Sequence, residues 1–177
     1  CSIRDNDLDS TGQINFNKFV AANTGPFSIN PFYSADEHIS SNYLTRQVNN
    51  HFWFGWLSTL NYQWNEKFNL SGGIDLRSYR GIHYEEIWDL LGGDYVIELS
   101  DINRDPNTLL REGDKVQYHN DGLVRWAGVF AQAEYKHKEL TTFLNLTAAR
   151  SWFKRIDYFQ YAPEEQESDW VEVPGYT

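Results

Sequence analysis

The tightest constraint in this chain is the stretch 123–159, LVRWAGVFAQAEYKHKELTTFLNLTAARSWFKRIDYF. Its side chains alternate with period two on both sides of a charged and polar break at Lys136, His137, Lys138 and Glu139, which is the pattern of a β-hairpin. In the second arm Leu140, Thr142, Leu144, Leu146, Ala148 and Trp152 share one face. Thr141, Asn145, Thr147 and Ser151 share the other, with Phe143 and Phe153 as exceptions. In the first arm Leu123, Ala127, Val129, Ala131, Ala133 and Tyr135 stand opposite Trp126, Phe130, Gln132 and Glu134. A second hairpin lies upstream. Residues 51–65, HFWFGWLSTLNYQWN, put Phe52, Phe54, Trp56, Leu60, Tyr62 and Trp64 on one side. After a tight turn at Asn65, Glu66 and Lys67, the return arm sets Phe68, Leu70, Ile74 and Leu76 against Asn69, Ser71, Asp75 and Arg77.

Two architectures account for such alternation. A β-sandwich buries one face of each sheet against the other sheet and wets the remaining face. A transmembrane barrel instead turns the apolar face to lipid and the polar face to its lumen. The aromatics bunch towards the ends of the arms, at 52–56, 62–68, Tyr135 and Trp152, with small or aliphatic residues between them. That is the distribution of aromatic girdles at two membrane interfaces. Two short turns also alternate with three long segments, the asymmetry of an outer-membrane barrel. The expected fold is therefore all-β, a transmembrane antiparallel β-barrel segment of about four strands. Its expected parts, within one β-barrel domain, are an extracellular loop (1–50), a first strand hairpin (51–80), a long extracellular loop (81–122), a second hairpin (123–155) and a last extracellular loop (156–177). Since the smallest bacterial barrels have about eight strands, this segment would need neighbouring strands.

The runs FNLSGGIDLRSYRGIHYEEIWDLLGGDYV at 68–96 and HNDGLVRWAGVFAQAEYKHKELTTFLNLTAARSWFKRIDYF at 119–159 resemble the barrel of TonB-dependent outer-membrane receptors of Gram-negative bacteria. The resemblance rests on texture and strand-loop rhythm. It implies a barrel of about 22 strands closed by a plug domain. It also implies residence in the bacterial outer membrane and active uptake of a nutrient (a glycan, a peptide or a metal chelate) rather than catalysis. The implied partners are the remainder of the chain's own β-barrel and plug, TonB through a part not in this sequence, outer-membrane glycolipid and a surface lipoprotein. Neither a plug stretch nor a TonB box is among these residues, so the resemblance implies a piece of a receptor.

Composition is compatible with that reading. The 177 residues include no Met and begin at Cys1, which points to an excised or processed polypeptide. A mean hydropathy of −0.61 leaves no apolar run long enough for a helical span, whereas a barrel strand needs only about ten alternating residues. The net charge of −10 argues against a nucleic-acid partner. Cys1 as the lipidated first residue of a mature lipoprotein belongs to the alternative reading, a soluble or lipoprotein-tethered β-sandwich that binds carbohydrate.

Candidate sites are few. In the first segment Asp7, Asp9, Thr11, Gly12 and Ile14 have the spacing of a calcium loop, but Lys18 occupies the position of the bidentate carboxylate. An Asx-rich turn is the simpler reading. No cofactor is expected beyond that option of calcium at Asp7, Asp9 and Thr11. Residues 34–49 suit either a short helix or the lead into the first strand. In 83–91 Tyr84, Ile87, Trp88 and Leu91 fall at helical spacing before Gly92 and Gly93, which makes Glu85 and Glu86 a solvated helix face. Adjacent helical carboxylates point about 100° apart and do not converge on one bond, so an enzyme is not expected. Residues 95–99 read as a short strand and 101–114 as turns. The acidic tail, with Asp157, Glu164, Glu165, Glu167, Asp169 and Glu172, reads as solvated surface.

The loop aromatics Trp88, Tyr95, Tyr118 and Trp170 are candidates for ligand stacking, or else fasteners between loops. Arg80, Arg125, Arg150 and Lys154 fall on the apolar side, roughly 10 to 12 residues from the short turns and so about 25 Å up a tilted strand. There they would meet phosphorylated glycolipid of the outer leaflet, or pair with rim carboxylates such as Asp121 and Asp157.

Overall fold

A computed structural model describes residues 5–174. Cys1 and the last three positions of the expected 156–177 loop lie outside the described residues. The chain runs through a short 3-10 turn at Asp5–Asp7, then α1 (Phe16–Asn23), β1 (Leu44–Asn65), β2 (Phe68–Asp89), β3 (Lys115–His137), β4 (Leu140–Asp157) and β5 (Val171–Pro174). The fold is all-β. The strands form one open antiparallel sheet in the order β1-β2-β3-β4-β5. A sandwich requires two stacked sheets, and the described strands make only one.

The strands are longer than hydrophobic alternation marks. β1 and β2 have 22 residues each and β3 has 23, against a usual strand length of about 3 to 10. Alternation in polarity fades near residues 80 and 123, but backbone pairing does not. The helix expected over 83–91 is absent, and β2 continues to Asp89. The Ile87 N–H donates to the Asp114 carbonyl at 3.0 Å and the Ile87 carbonyl accepts from Gly113 N–H at 2.9 Å. Long-range partners have overridden a local spacing that by itself favoured a helix. Glu85 and Glu86 are accordingly buried, not solvated, and Arg46 pairs with Glu86. The strand ends where Leu91 and Gly92 take left-handed backbone conformations.

Three further expectations change. The first segment is not all loop, because it holds α1, capped by the Asn15 side chain on Lys18 N–H at 3.2 Å. β1 begins at Leu44, so the 34–49 stretch leads into a strand. The last segment holds a fifth strand, whose Val171 to Pro174 pair with Phe153 to Arg150 of β4. The expected strand at 95–99 is reduced to single bridges, Tyr95 with Ile39 and Val96 with Leu110.

The chain divides into two compact units. One comprises Cys1–Asn49, His83–Asn120 and Tyr158–Glu164, and the other Asn50–Ile82, Asp121–Asp157 and Glu165–Thr177. The first has a conventional core of Ile87, Leu90, Val96, Leu110 and Val116, with Tyr43 packed against it. Asn23, fully buried, joins α1 to two other segments: its side-chain nitrogen donates to the carbonyls of Asn42 and Leu90, and its oxygen accepts from Ser41 N–H. The second unit is different in kind. Among the described residues every buried hydrophobic side chain lies in the first unit.

Candidate functional site

In the second unit four strands present one continuous apolar face. Leu60 of β1, Leu70 of β2, Ala131 and Ala133 of β3, and Leu144 and Leu146 of β4 line a single groove of about 490 Å³. Ile74, Leu76, Ala127, Val129, Ala148 and Trp152 line the next. These are the residues that sequence parity assigned to one face, so the alternation has the register it implied. Their exposure is large. Leu60 retains 75% of its accessible surface, Phe54 70% and Leu146 62%. Burial of one such side chain is worth about 1.5–3 kcal/mol, and here a whole face forgoes it.

Aromatics flank this face near the short turns and again farther along the strands. Tyr62 and Trp64 lie edge to face, and Phe68 and Tyr135 approach across β2 and β3 with ring centroids 6.5 Å apart. The two short turns adjoin, since Lys136 N–H donates to the Lys67 carbonyl at 2.7 Å. Farther from those turns, Phe54 at mid-length of β1 and Trp152 of β4 line a groove with Trp170, which precedes β5.

The opposite face carries polar pairs. Arg77 is bidentate to Asp75, at 2.9 and 2.6 Å, and lies over the Trp126 ring. His51 bonds the Tyr79 hydroxyl at 2.6 Å and stacks on its ring. Trp53 and Leu57 also stand exposed on this side of β1, so over 51–65 neither face of that strand is covered among the described residues. A close approach between β1 and β2 fixes Gly73, because a Cβ there would lie 2.0 Å from the Ser58 carbonyl oxygen.

The four basic residues of the apolar side all have protein partners. Arg80 donates twice to Asp121 Oδ2, at 2.8 and 2.5 Å, and Asp121 is buried. Arg150 pairs with Glu172 of β5 at 2.9 Å, and Lys154 pairs with Glu167. Arg125 lies 4.4 Å over the Trp170 ring, beside Trp152 in a groove that also takes in Phe54 and Leu76. Of the acidic tail, Glu172 and Glu167 thus take Arg150 and Lys154 while remaining substantially exposed, Glu164, Glu165 and Asp169 stand exposed, and Asp157, buried, accepts from Arg155 at 2.8 Å.

The loop aromatics separate into different roles. Trp88 is half exposed beneath the Arg46 guanidinium, 4.0 Å from its ring. Trp170 is occupied by Arg125, and Tyr118 is half-buried. Tyr95 is fully buried, so the expectation that it offers a stacking surface is corrected. Burial, with Glu37 nearby, pushes its phenol above the ordinary tyrosine value. Its bulk anchors a loop. In the acidic turn near the start, Lys18 Nζ sits 2.8 Å from Asp7 Oδ1, and Asp9 accepts from the Thr11 hydroxyl, Thr11 N–H and Gln13 N–H. Those bonds, the Thr11 hydroxyl first, hold the Asp9 carboxyl below its usual pKa. The oxygens expected for calcium are thus engaged by an ammonium and an Asx turn.

No family model, curated protein or solved structure matches the chain.

Proposed function

We propose that this chain is part of the wall and outer mouth of a β-barrel receptor in the bacterial outer membrane, of the TonB-dependent kind, serving uptake of a nutrient. The observation that carries the reading is the single-layered sheet of the second unit, whose apolar face runs across four strands with no layer against it among the described residues. In water such a face is costly; in hydrocarbon it is solvated. Strand length supports the same reading. A strand of 22 residues rises about 50 Å at 45° tilt, so it crosses an apolar band of about 25 Å and continues beyond it. The aromatic flanks support two interfaces, and the polar pairs Asp75–Arg77 and His51–Tyr79 suit a lumen filled by water or a plug.

The basic residues at the upper margin act chiefly as struts. Arg80, Arg150 and Lys154 tie the strands to Asp121, Glu172 and Glu167. Of the four, Arg125 on Trp170 is the one whose partner is neutral, which leaves its charge available to a lipid phosphate. Unpaired edges of β1 and of the lower part of β4 require neighbouring strands, because each unsatisfied backbone group in hydrocarbon costs several kcal/mol.

Refolding the purified chain with and without detergent micelles tests the reading. No cooperative folding of the isolated chain is expected in plain buffer, and a cooperative soluble monomer there would remove the membrane assignment.

A further inference from the structure

The first unit contains a cavity that the reading above does not use. It is an open cleft of about 370 Å³ between the α1 region, the start of β1 and the start of β3, within the usual range for small-ligand sites. Phe16 and Phe19 of α1 supply aromatic walls, Tyr43 adds a third ring, and Asn42, Thr45 and Gln117 add amides and a hydroxyl. Among the described residues no charged side chain lines it. In a chain with 40 charged residues out of 177, that is a selective composition.

Two features make the cavity preorganised. Asn23 hydrogen-bonds Ser41 and Asn42 as well as the Leu90 and Leu91 carbonyls, so one buried amide fixes three of the segments that shape the walls. Gln117 holds a left-handed backbone, φ 63°, that a non-glycine residue pays to adopt. The strain places a long amide side chain on the cavity wall, where glycine would satisfy the backbone alone.

We infer that this cavity binds an uncharged carbohydrate, with a sugar ring stacked on Phe16 or Phe19 and its hydroxyls met by Asn42, Thr45 and Gln117. Aromatic faces match the C–H surface of a pyranose, and amides both donate to and accept from hydroxyls. Anionic ligands and metal chelates find no countercharge among the described residues that line it. The inference concerns the first unit alone, so its failure would leave the lipid-facing reading of the second unit standing.

The test is binding of the full chain, purified in a detergent without a sugar headgroup, to an array of uncharged oligosaccharides. Hits are then titrated calorimetrically. At least one neutral oligosaccharide is expected to bind, with affinity falling tenfold or more in Gln117→Gly and in Phe19→Ala and within twofold of the parent in Glu139→Gln. Gln117→Gly suits the left-handed backbone, so its folding, checked by thermal unfolding, is retained while the amide is lost. An array without any hit, or a hit insensitive to Gln117→Gly in the folded variant, would overturn the proposal.

Discussion

Asp121 and Tyr95 show how differently two buried polar groups can bear on stability. The Asp121 carboxylate, buried on β3, takes two charge-assisted hydrogen bonds from Arg80. Asp121→Asn removes the charge but not the volume, leaving Arg80 with a weaker acceptor, and is expected to cost about 1–3 kcal/mol. Arg150→Gln breaks the exposed pair with Glu172 and is expected to cost less than about 1 kcal/mol. Chemical unfolding in detergent compares the two, and equal losses would mean that Asp121 is not the stronger strut. Tyr95 is the reverse case, since its hydroxyl is buried without a hydrogen-bond partner among the described residues. Tyr95→Phe is therefore expected to be neutral or stabilising by about 1 kcal/mol. Its phenol pKa is raised by burial, so its contribution is fully present below the unfolded value near 10 and is lost as pH rises through the folded value. Stability of Tyr95→Phe should fall less between pH 9 and about 11.5 than that of the parent, and identical profiles would remove Tyr95 as the cause.

At the scale of the strand, parity decides the effect of a substitution more than residue type does. Leu146 lines the apolar groove, and its neighbour Asn145 points the other way. On the proposed reading Leu146→Arg is expected to destabilise by about 2–4 kcal/mol and Asn145→Arg by much less. Folding yield into vesicles as a function of urea measures both, and equal losses would contradict a lipid-facing side. Gly73 is a second test of the hairpin, because a Cβ there overlaps the Ser58 carbonyl oxygen and crowds the Phe130 ring. Gly73→Ala is expected to cost about 1–3 kcal/mol or to shift the β1–β2 register, read by cross-strand disulfide trapping. The alternation made the two faces legible from the sequence, whereas nothing in it distinguished Gly73 from a merely flexible strand glycine. The helix expected at 83–91 failed for a related reason. Tyr84, Ile87, Trp88 and Leu91 share one face only at helical spacing, yet in the strand Ile87 is buried while Trp88 faces outward, because pairing with Gly113 and Asp114 overrides the local pattern.

For the whole molecule, the proposed receptor makes a topological prediction. The two short turns adjoin, so Lys67 and Lys138 belong to one side of the membrane, and Lys115, at the start of β3, to the other. Impermeant amine labelling of intact cells is expected to reach Lys115 and to spare Lys138 until the outer membrane is permeabilised. Labelling of Lys138 in intact cells would reverse the orientation.

What the sequence determined by itself was the strand period, the two turns and the identity of the apolar face. Those features are local, because successive side chains on an extended backbone point to opposite sides whatever lies beyond them. What only the tertiary structure decided was where the strands stop, which charges pair, and which aromatics remain exposed. Arg80 finds Asp121 across 41 positions, Glu86 is matched to Arg46 across 40, and Tyr95 is buried against segments far from it in the chain. Such pairings depend on register and on the desolvation of particular carboxylates, both properties of the assembled sheet and loops rather than of any stretch within them.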